Sequence, residues 1–322
     1  MIIFLVTIRG FSGDGGAAVQ AQLVDPTSLV FDQAGNLFIA DQGNGRVRRV
    51  DAQTGKISTV AGAKSGQPGV DGIPAIRAKL FVSFIAIDLS GNLYLVDDGT
   101  KIRRVDGKTG IITTVAGNGC HPDFPDCSSD GEGVPATQVS LSITGMAVDA
   151  QGNLFVATQG VSLETMSRLN RIRRVDVSTG LITTVAGMPQ TGSNGDGGPA
   201  AQASFVNPGS LSIDRDGNLL LSDGNAVRII KGIAKVAPSQ SELKITNASF
   251  ADRTLTIDGT GFTPNDLDVV INDRSVRKFI TRSSPAQISL TKSEKKLNLK
   301  PGENQITVRA GGRTSNVYIM NR

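Results

Sequence analysis

Four segments of this chain carry one pattern, and no other feature constrains the fold as strongly. They are SLVFDQAGNLFIADQGNGRVRRVDAQTGKISTVAG (28–62), FIAIDLSGNLYLVDDGTKIRRVDGKTGIITTVAG (84–117), GMAVDAQGNLFVATQGVSLETMSRLNRIRRVDVSTGLITTVAG (145–187) and the more degraded SLSIDRDGNLLLSDGNAVRIIKGIAKVA (210–237). The offsets are fixed. Asp32, Asp88, Asp149 and Asp214 each stand four residues before the Asn of a Gly-Asn pair, and five residues beyond that Asn comes Asp41, Asp97, Thr158 or Asp223.

Each unit reads as four short strands. SLVFD alternates as a half-buried strand does, and DQAGN is a tight turn in which Gly and Asn tolerate positive φ. LFIAD is a nearly continuous apolar run, as expected of a strand covered on both faces, RVRRV alternates, and ISTVAG is an outer strand richer in Ser and Thr. One four-stranded sheet cannot hide both faces, but radially arranged copies can cover one another, which predicts a β-propeller. The 38 glycines and 4% aromatic content suit such an all-β, turn-rich protein.

GNLFIADQGNGRVRRVD and GNLYLVDDGTKIRRVDGKTGIITTVAG resemble the NHL-repeat family of propellers, and a bacterial subgroup with SGDGGPA connectors in particular. The resemblance covers residues 1 to about 237, with units at about 11–62, 63–117, 118–187 and 188–237. Propellers of this family close with six blades, sometimes five, whereas four are visible here. The resemblance therefore implies an incomplete six-bladed ring. LVTIRGFSGDGG reads as the outer strand of a blade whose other strands are missing, the expectation for a fragment of a longer protein. The alternative is that MIIFLVTI adds to the last blade and closes a four-bladed ring.

After Pro238 the rhythm changes. Residues 238–322 hold about seven short alternating strands, with turns expected at Asp258-Gly259, Pro264-Asn265, Asn272-Asp273 and Pro301-Gly302, a pattern that predicts a small β-sandwich. LTIDGTGFTP, VVINDRSV and GENQITVRAGGRTSN resemble immunoglobulin-like IPT/TIG domains, which implies a spacer or adhesion module.

Charge and length exclude several functions. Residues 1–238 carry 20 Lys+Arg against 21 Asp+Glu, and residues 239–322 carry 13 against 8, so the net +4 resides in the tail. The repeated arginines (Arg46, Arg48 and Arg49; Arg103 and Arg104; Arg171, Arg173 and Arg174; Arg228) lack interleaved aromatics for base stacking. They are expected to form an Arg–Asp ladder between blades, and no specific nucleic-acid partner is expected. No apolar run approaches the ~20 residues of a membrane span. MIIFLVTIRG lacks the basic start and small-residue cleavage site of a signal peptide.

The candidate site residues are carboxylates that the repeat places together. Asp41, Asp97 and Asp223 end the second strand on the face that the connectors cross. Asp14, Asp71, Asp130 and Asp196 belong to the Asp-Gly connectors, each followed by an Ala, with one helical turn expected at PAAQA. These seven are candidate ligand-face positions, set against the bland reading in which the first three cap their own turns and the connectors only route the chain. No connector has the Lys-Ser/Thr of a phosphate loop, and one Asp each is thin for calcium, so no cofactor is expected. Cys120 and Cys127 are expected to form a disulfide, hence an oxidising compartment; a metal site of Cys120, His121 and Cys127 with Asp123 or Asp126 is the rival. The insertion Gln159 to Asn170 is a further candidate contact. With a single histidine, the expected function is non-enzymatic binding or adhesion in the cell envelope or extracellular space, with a protein or glycan ligand on the propeller face. The alternative is a metal-dependent propeller hydrolase or lyase.

Overall fold

The computed structural model describes the chain apart from residues 1–9, 67, 123–126, 128–130, 161–168, 191, 235–242, 261, 263–266, 285, 311–312 and 322. The start MIIFLVTIR, Asp123, Asp126, Asp130, most of the 159–170 insertion and the Pro264-Asn265 turn lie outside the described residues. Contacts divide the chain into Met1–Val236 and Ala237–Arg322.

Among the described residues, the first unit holds four antiparallel sheets whose main strands lie side by side in chain order, with a short extra strand added at the far edge of sheets 2 and 3. Sheet 1 is β1 (Pro26–Phe31), β2 (Leu37–Asp41), β3 (Arg46–Val50) and β4 (Ile57–Ala61). Sheet 2 is β5 (Ile73–Pro74), β6 (Val82–Ile87), β7 (Leu93–Asp97), β8 (Lys101–Val105) and β9 (Ile111–Ala116), with β5 laid on the outer edge of β9. Sheet 3 repeats this with β10 (Val134–Pro135), β11 (Ile143–Val148), β12 (Leu154–Thr158), β13 (Arg171–Val175) and β14 (Leu181–Ala186). Sheet 4 is β15 (Pro208–Ile213), β16 (Leu219–Asp223) and β17 (Ala226–Ile230).

The turns explain the repeated Asp and Asn. The Asp32 carboxylate accepts the N–H groups of Ala34 (2.9 Å) and Asn36 (2.8 Å) and the Asn36 side-chain amide (2.7 Å). Gly35 alone supplies the positive φ, +80°. Asn36 is there for its side chain, not its backbone: its Oδ1 accepts the N–H of Ala52 (2.9 Å) in the next turn. Asn92, Asn153 and Asn218 do the same for Gly107, Val177 and Gly232. Those second turns are closed by Asp51, Asp106 and Asp176. The Thr109 N–H holds the Asp106 carboxyl down to about 2, and the Ser178 hydroxyl holds Asp176 at about 2.

The sheets pack face to face. β2, β7 and β12 are buried along their whole length. Phe38, Ala40 and Val47 of sheet 1 share one apolar cluster with Ile85, Leu93 and Leu95 of sheet 2. Tyr94, Val96 and Ile102 of sheet 2 meet Met146, Leu154 and Val156 of sheet 3, and Phe155, Ala157 and Ile172 of sheet 3 meet Leu219 and Leu221 of sheet 4. Burial of this kind contributes about 25 cal/mol per Å² of apolar surface.

The second unit has two antiparallel sheets among the described residues. Its strands are β18 (Lys244–Ala251), β19 (Thr254–Thr260), β20 (Leu267–Ile271), β21 (Arg274–Ser275), β22 (Ile280–Ser283), β23 (Gln287–Thr291), β24 (Glu303–Ala310), β25 (Arg313–Thr314) and β26 (Tyr318–Asn321), with one short helix, α1 (Glu294–Leu297). Order β18-β19-β23-β22 makes one sheet; β21-β20-β24-β25, with β26 also on β24, makes the other. Ile257 and Ile288 from the first and Val269 and Ile306 from the second sit in one core. Asn272 and Asp273, both at positive φ, form the expected turn. Asp258-Gly259 does not turn: it lies inside β19, where Gly259 opposes Ile245. The hairpin before it turns at Asp252 and Arg253 instead.

Candidate functional site

The structure brings the candidate carboxylates together in pairs around a buried arginine. In sheet 2, Arg103 lies on β8 with its side chain fully buried. Its Nη2 reaches the connector carboxylate Asp71 at 2.7 Å and donates to the carbonyl of Val70. Its Nη1 reaches Asp97, at the end of β7, at 3.2 Å. Sheet 1 repeats the arrangement with Asp14, Arg48 and Asp41, at 2.8 and 3.5 Å. Sheet 4 repeats it with Asp196, Arg228 and Asp223, at 2.7 and 3.4 Å. Each connector acid also binds its outer strand where one exists: Thr59 donates to Asp14 and Thr114 to Asp71.

Sheet 3 departs at both ends. Thr158 replaces the strand-end Asp, and its hydroxyl donates to the carbonyl of Arg171 at 3.4 Å. The connector acid is Glu132, 3.3 Å from Arg173, which also takes the Thr184 N–H at 2.8 Å. The Asp-Gly dipeptide points to Asp130, but distance to the helical turn is the better signal. Asp14, Asp71, Glu132 and Asp196 each stand four residues before Ala18, Ala75, Ala136 or Ala200, the first residues of four 3₁₀ turns.

This geometry corrects two expectations. The buried arginines form no ladder between blades; each clamps a connector to the sheet it leads into. The neighbouring Arg49, Arg104 and Arg174 make partly exposed pairs, with Asp51, Asp106 and Asp176. The connectors, in turn, follow the outer edge of the next sheet: Ile73 and Pro74 pair with Ile112 and Ile111 of β9.

The strand-end carboxylates are not open to a ligand, whereas the connector acids Asp14, Asp71 and Asp196 keep 40, 46 and 80% of their side-chain exposure. Asp41, Asp97 and Asp223 are 0, 5 and 2% exposed. A guanidinium already fills the space between each pair, where a metal ion would need to sit. Among the described residues no three His, Cys, Asp or Glu side chains gather to share a metal. Cys120 and Cys127 are joined in a disulfide, which takes both sulfurs away from the rival metal site with His121.

The buried aspartates nevertheless shape the connector face. Asp41, Asp97 and Asp223 accept the backbone N–H of Val24 (2.7 Å), Phe81 (2.8 Å) and Val206 (2.9 Å), just before the innermost strands. The carboxylates fix these backbones while the side chains of Phe81 and Val206 stay half exposed, at 51 and 48%. Sequence reasoning missed them; the signal is their place 16 or 17 residues before a strand-end Asp.

A second feature lies between sheets 2 and 3. A cavity of about 310 Å³ is lined by Tyr94, Arg104, Thr114, Val175 and Asp176. The Tyr94 hydroxyl donates to Asp88 at 3.2 Å, and burial, then the Asp88 charge, pushes its pKa up to about 12. A raised folded-state pKa favours the neutral phenol. Its contribution to stability is thus complete below pH ~10 and lost as pH rises through ~12. Absorbance titration of the native protein is expected to show a tyrosine ionising near pH 12, and Tyr94→Phe should abolish that step.

No protein-family model matches the chain. Its sequence is similar to teneurin-4 of Mus musculus, 28% identical over 291 residues, 85% of this chain and 10% of that one. It is similar to teneurin-1 of Mus musculus, 29% identical over 275 residues, 77% of this chain and 9% of that one. The chain thus spans about a tenth of the length of the curated relatives it matches. Among solved structures it resembles a virginiamycin B lyase from Staphylococcus aureus (14% identity, TM-score 0.38, 91% of this chain and 83% of that one). It also resembles a gluconolactonase from Xanthomonas campestris (13% identity, TM-score 0.38, 84% and 86%). Likenesses this distant carry no argument about activity. Among the described residues no helix is long and apolar enough to cross a membrane. From the fourfold repeat and the face-to-face antiparallel sheets, the first unit is a β-propeller-type domain.

Proposed function

We propose that this chain is a non-enzymatic binding scaffold or adhesion protein of the cell envelope or extracellular space, which meets a protein or glycan ligand on its connector face. The observation that carries the reading is the clamp. At each described candidate carboxylate the group is held by an arginine, the strand-end Asp41, Asp97 and Asp223 also accept a backbone N–H, and the result is a fixed platform. In this reading Phe81 and Val206 are the contact side chains, and the second unit is an immunoglobulin-like spacer. The disulfide suits an oxidising compartment.

The test presents the full chain to arrayed purified glycans and extracellular proteins. Saturable binding should weaken at least ~10-fold in Phe81→Asp and Val206→Asp, the loss of a well-packed contact, with an unchanged unfolding midpoint. Hydrolysis of lactone or amide probes that chelation abolishes would replace the proposal with the metal-dependent hydrolase or lyase.

A further inference from the structure

The repeat departs from its own pattern at the cavity between sheets 2 and 3. This cavity lies by the first residues of β7 and β12, at the opposite end of those strands from Asp97 and Thr158. Two of the residues that line it differ from their equivalents in the other sheets. Tyr94, second in β7, stands where sheets 1, 3 and 4 have Phe38, Phe155 and Leu220. Val177, whose N–H is accepted by the repeat Asn, stands where sheets 1, 2 and 4 have Ala52, Gly107 and Gly232. Tyr94 is 2% exposed and Val177 is 54% exposed, so one change sets a hydroxyl inside the cavity and the other an apolar side chain at its mouth.

The rest of the lining sets the chemistry. Val115 of sheet 2 and Leu154 and Val175 of sheet 3 make apolar walls. The polar end holds the Tyr94 hydroxyl and Arg104. Arg104 uses its Nη2 on Asn92 Oδ1 (2.7 Å) and Asp106 (2.9 Å), and a guanidinium keeps further N–H donors for another acceptor. The charges, however, are already matched. Arg104 pairs with Asp106, while Asp176 on the other wall pairs with Arg174 at 2.7 Å and accepts the N–H groups of Ser178 and Thr179. An ion that entered would give up its water without gaining a counter-charge, whereas an uncharged molecule with one oxygen would lose little and gain a donor.

Size narrows the class further. The cavity's volume of about 310 Å³ stands at the lower end of the ~300–1,000 Å³ typical of small-molecule sites. It equals about ten water molecules at ~30 Å³ each, room for one ring with a short substituent. We infer that this cavity binds a small uncharged ring compound, with the apolar body between Leu154 and Val175 and a hydroxyl or carbonyl oxygen on Tyr94 and Arg104. The site is separate from the connector face, because the two lie at opposite ends of the same strands.

The test titrates the full chain by calorimetry with three phenols of similar size: para-hydroxyacetophenone, which is neutral, tyramine, a cation, and para-hydroxybenzoate, an anion. The neutral compound should saturate with a Kd of ~1 mM or below, within reach of so small a ligand. Both ions should bind at least ~10-fold more weakly. Val177→Trp, at an exposed position, should fill the mouth and abolish binding with an unchanged unfolding midpoint. Tyr94→Phe restores the residue type of sheets 1 and 3 and should weaken binding about 3- to 10-fold, the loss of one hydrogen bond. Phe81→Asp and Val206→Asp should leave it unchanged, so this site is tested apart from the connector-face ligand. A neutral compound that never saturates would overturn the inference and leave the cavity a gap in the packing. Binding that survives Val177→Trp, or an ion that binds as well as the neutral compound, would overturn it equally.

Discussion

Arg103→Leu is expected to lower the free energy of unfolding by about 3–5 kcal/mol, the range for removing one partner of a buried ion pair. The reason is what remains. Asp97 is 5% exposed, and without Arg103 its charge is left in the core, where it accepts the Phe81 N–H. The connector also comes loose, because Arg103 holds both the carbonyl of Val70 and the Asp71 carboxylate. The effect should fall with exposure along the clamp. Asp71 is 46% exposed and can rehydrate, so Asp71→Ala should cost only about 1 kcal/mol. Urea unfolding midpoints of the two variants check the ordering. Equal, small losses would mean that the arginine packs as an aliphatic chain and its charge is immaterial.

Gly117→Ala should be comparably severe. Gly117 follows β9 at φ +82°, and a Cβ there would stand 2.0 Å from the carbonyl oxygen of Thr100 and 2.9 Å from the Cα of Lys101. Both neighbours are backbone, so no side chain can rotate away. The left-handed conformation costs about 1–2 kcal/mol for a residue with a Cβ, and the clash adds more, so a loss of about 3 kcal/mol or greater is expected. Gly110 is the control. It has φ +68° with nothing within 4 Å of the added carbon, so Gly110→Ala should show the conformational cost alone, about 1–2 kcal/mol. The difference between the two midpoints isolates the close approach. Gly62 and Gly187 occupy the same place after β4 and β14 and also meet backbone, at 2.1 and 2.6 Å.

Much of this architecture is legible in the chain because local rules and the repeat agree. Asp32 and Gly35 announce a turn through the elementary needs of backbone N–H groups and positive φ, and LFIAD announces a strand buried on both sides. The pairing of charges is less legible. Arg103 and Asp71 are 32 residues apart, and Arg48 and Asp14 are 34 apart, so composition shows balanced charge without showing who meets whom. Alternation in RVRRV suggests an outward Arg48, yet Arg48 is fully buried, because the connector lays a carboxylate and carbonyls over it. Glu132 escapes a search for Asp-Gly because the third connector moves its acid relative to that dipeptide while keeping its distance to Ala136. Phe81 and Val206 escape because nothing local marks them: their exposure follows from an aspartate that is distant in sequence and near in space.

The central claim is that the recurring carboxylates are structural clamps which hold the connector face in shape. A double-mutant cycle on Arg103 and Asp97 tests it most directly, using Arg103→Leu, Asp97→Asn and the double variant. Asparagine keeps an acceptor for the Phe81 N–H and removes only the charge. If the pair is a clamp, the double variant should be at least ~1.5 kcal/mol more stable than the sum of the single losses predicts, since neither change then leaves a buried charge alone. Losses that add to within ~0.5 kcal/mol, the behaviour of independent sites, would contradict it.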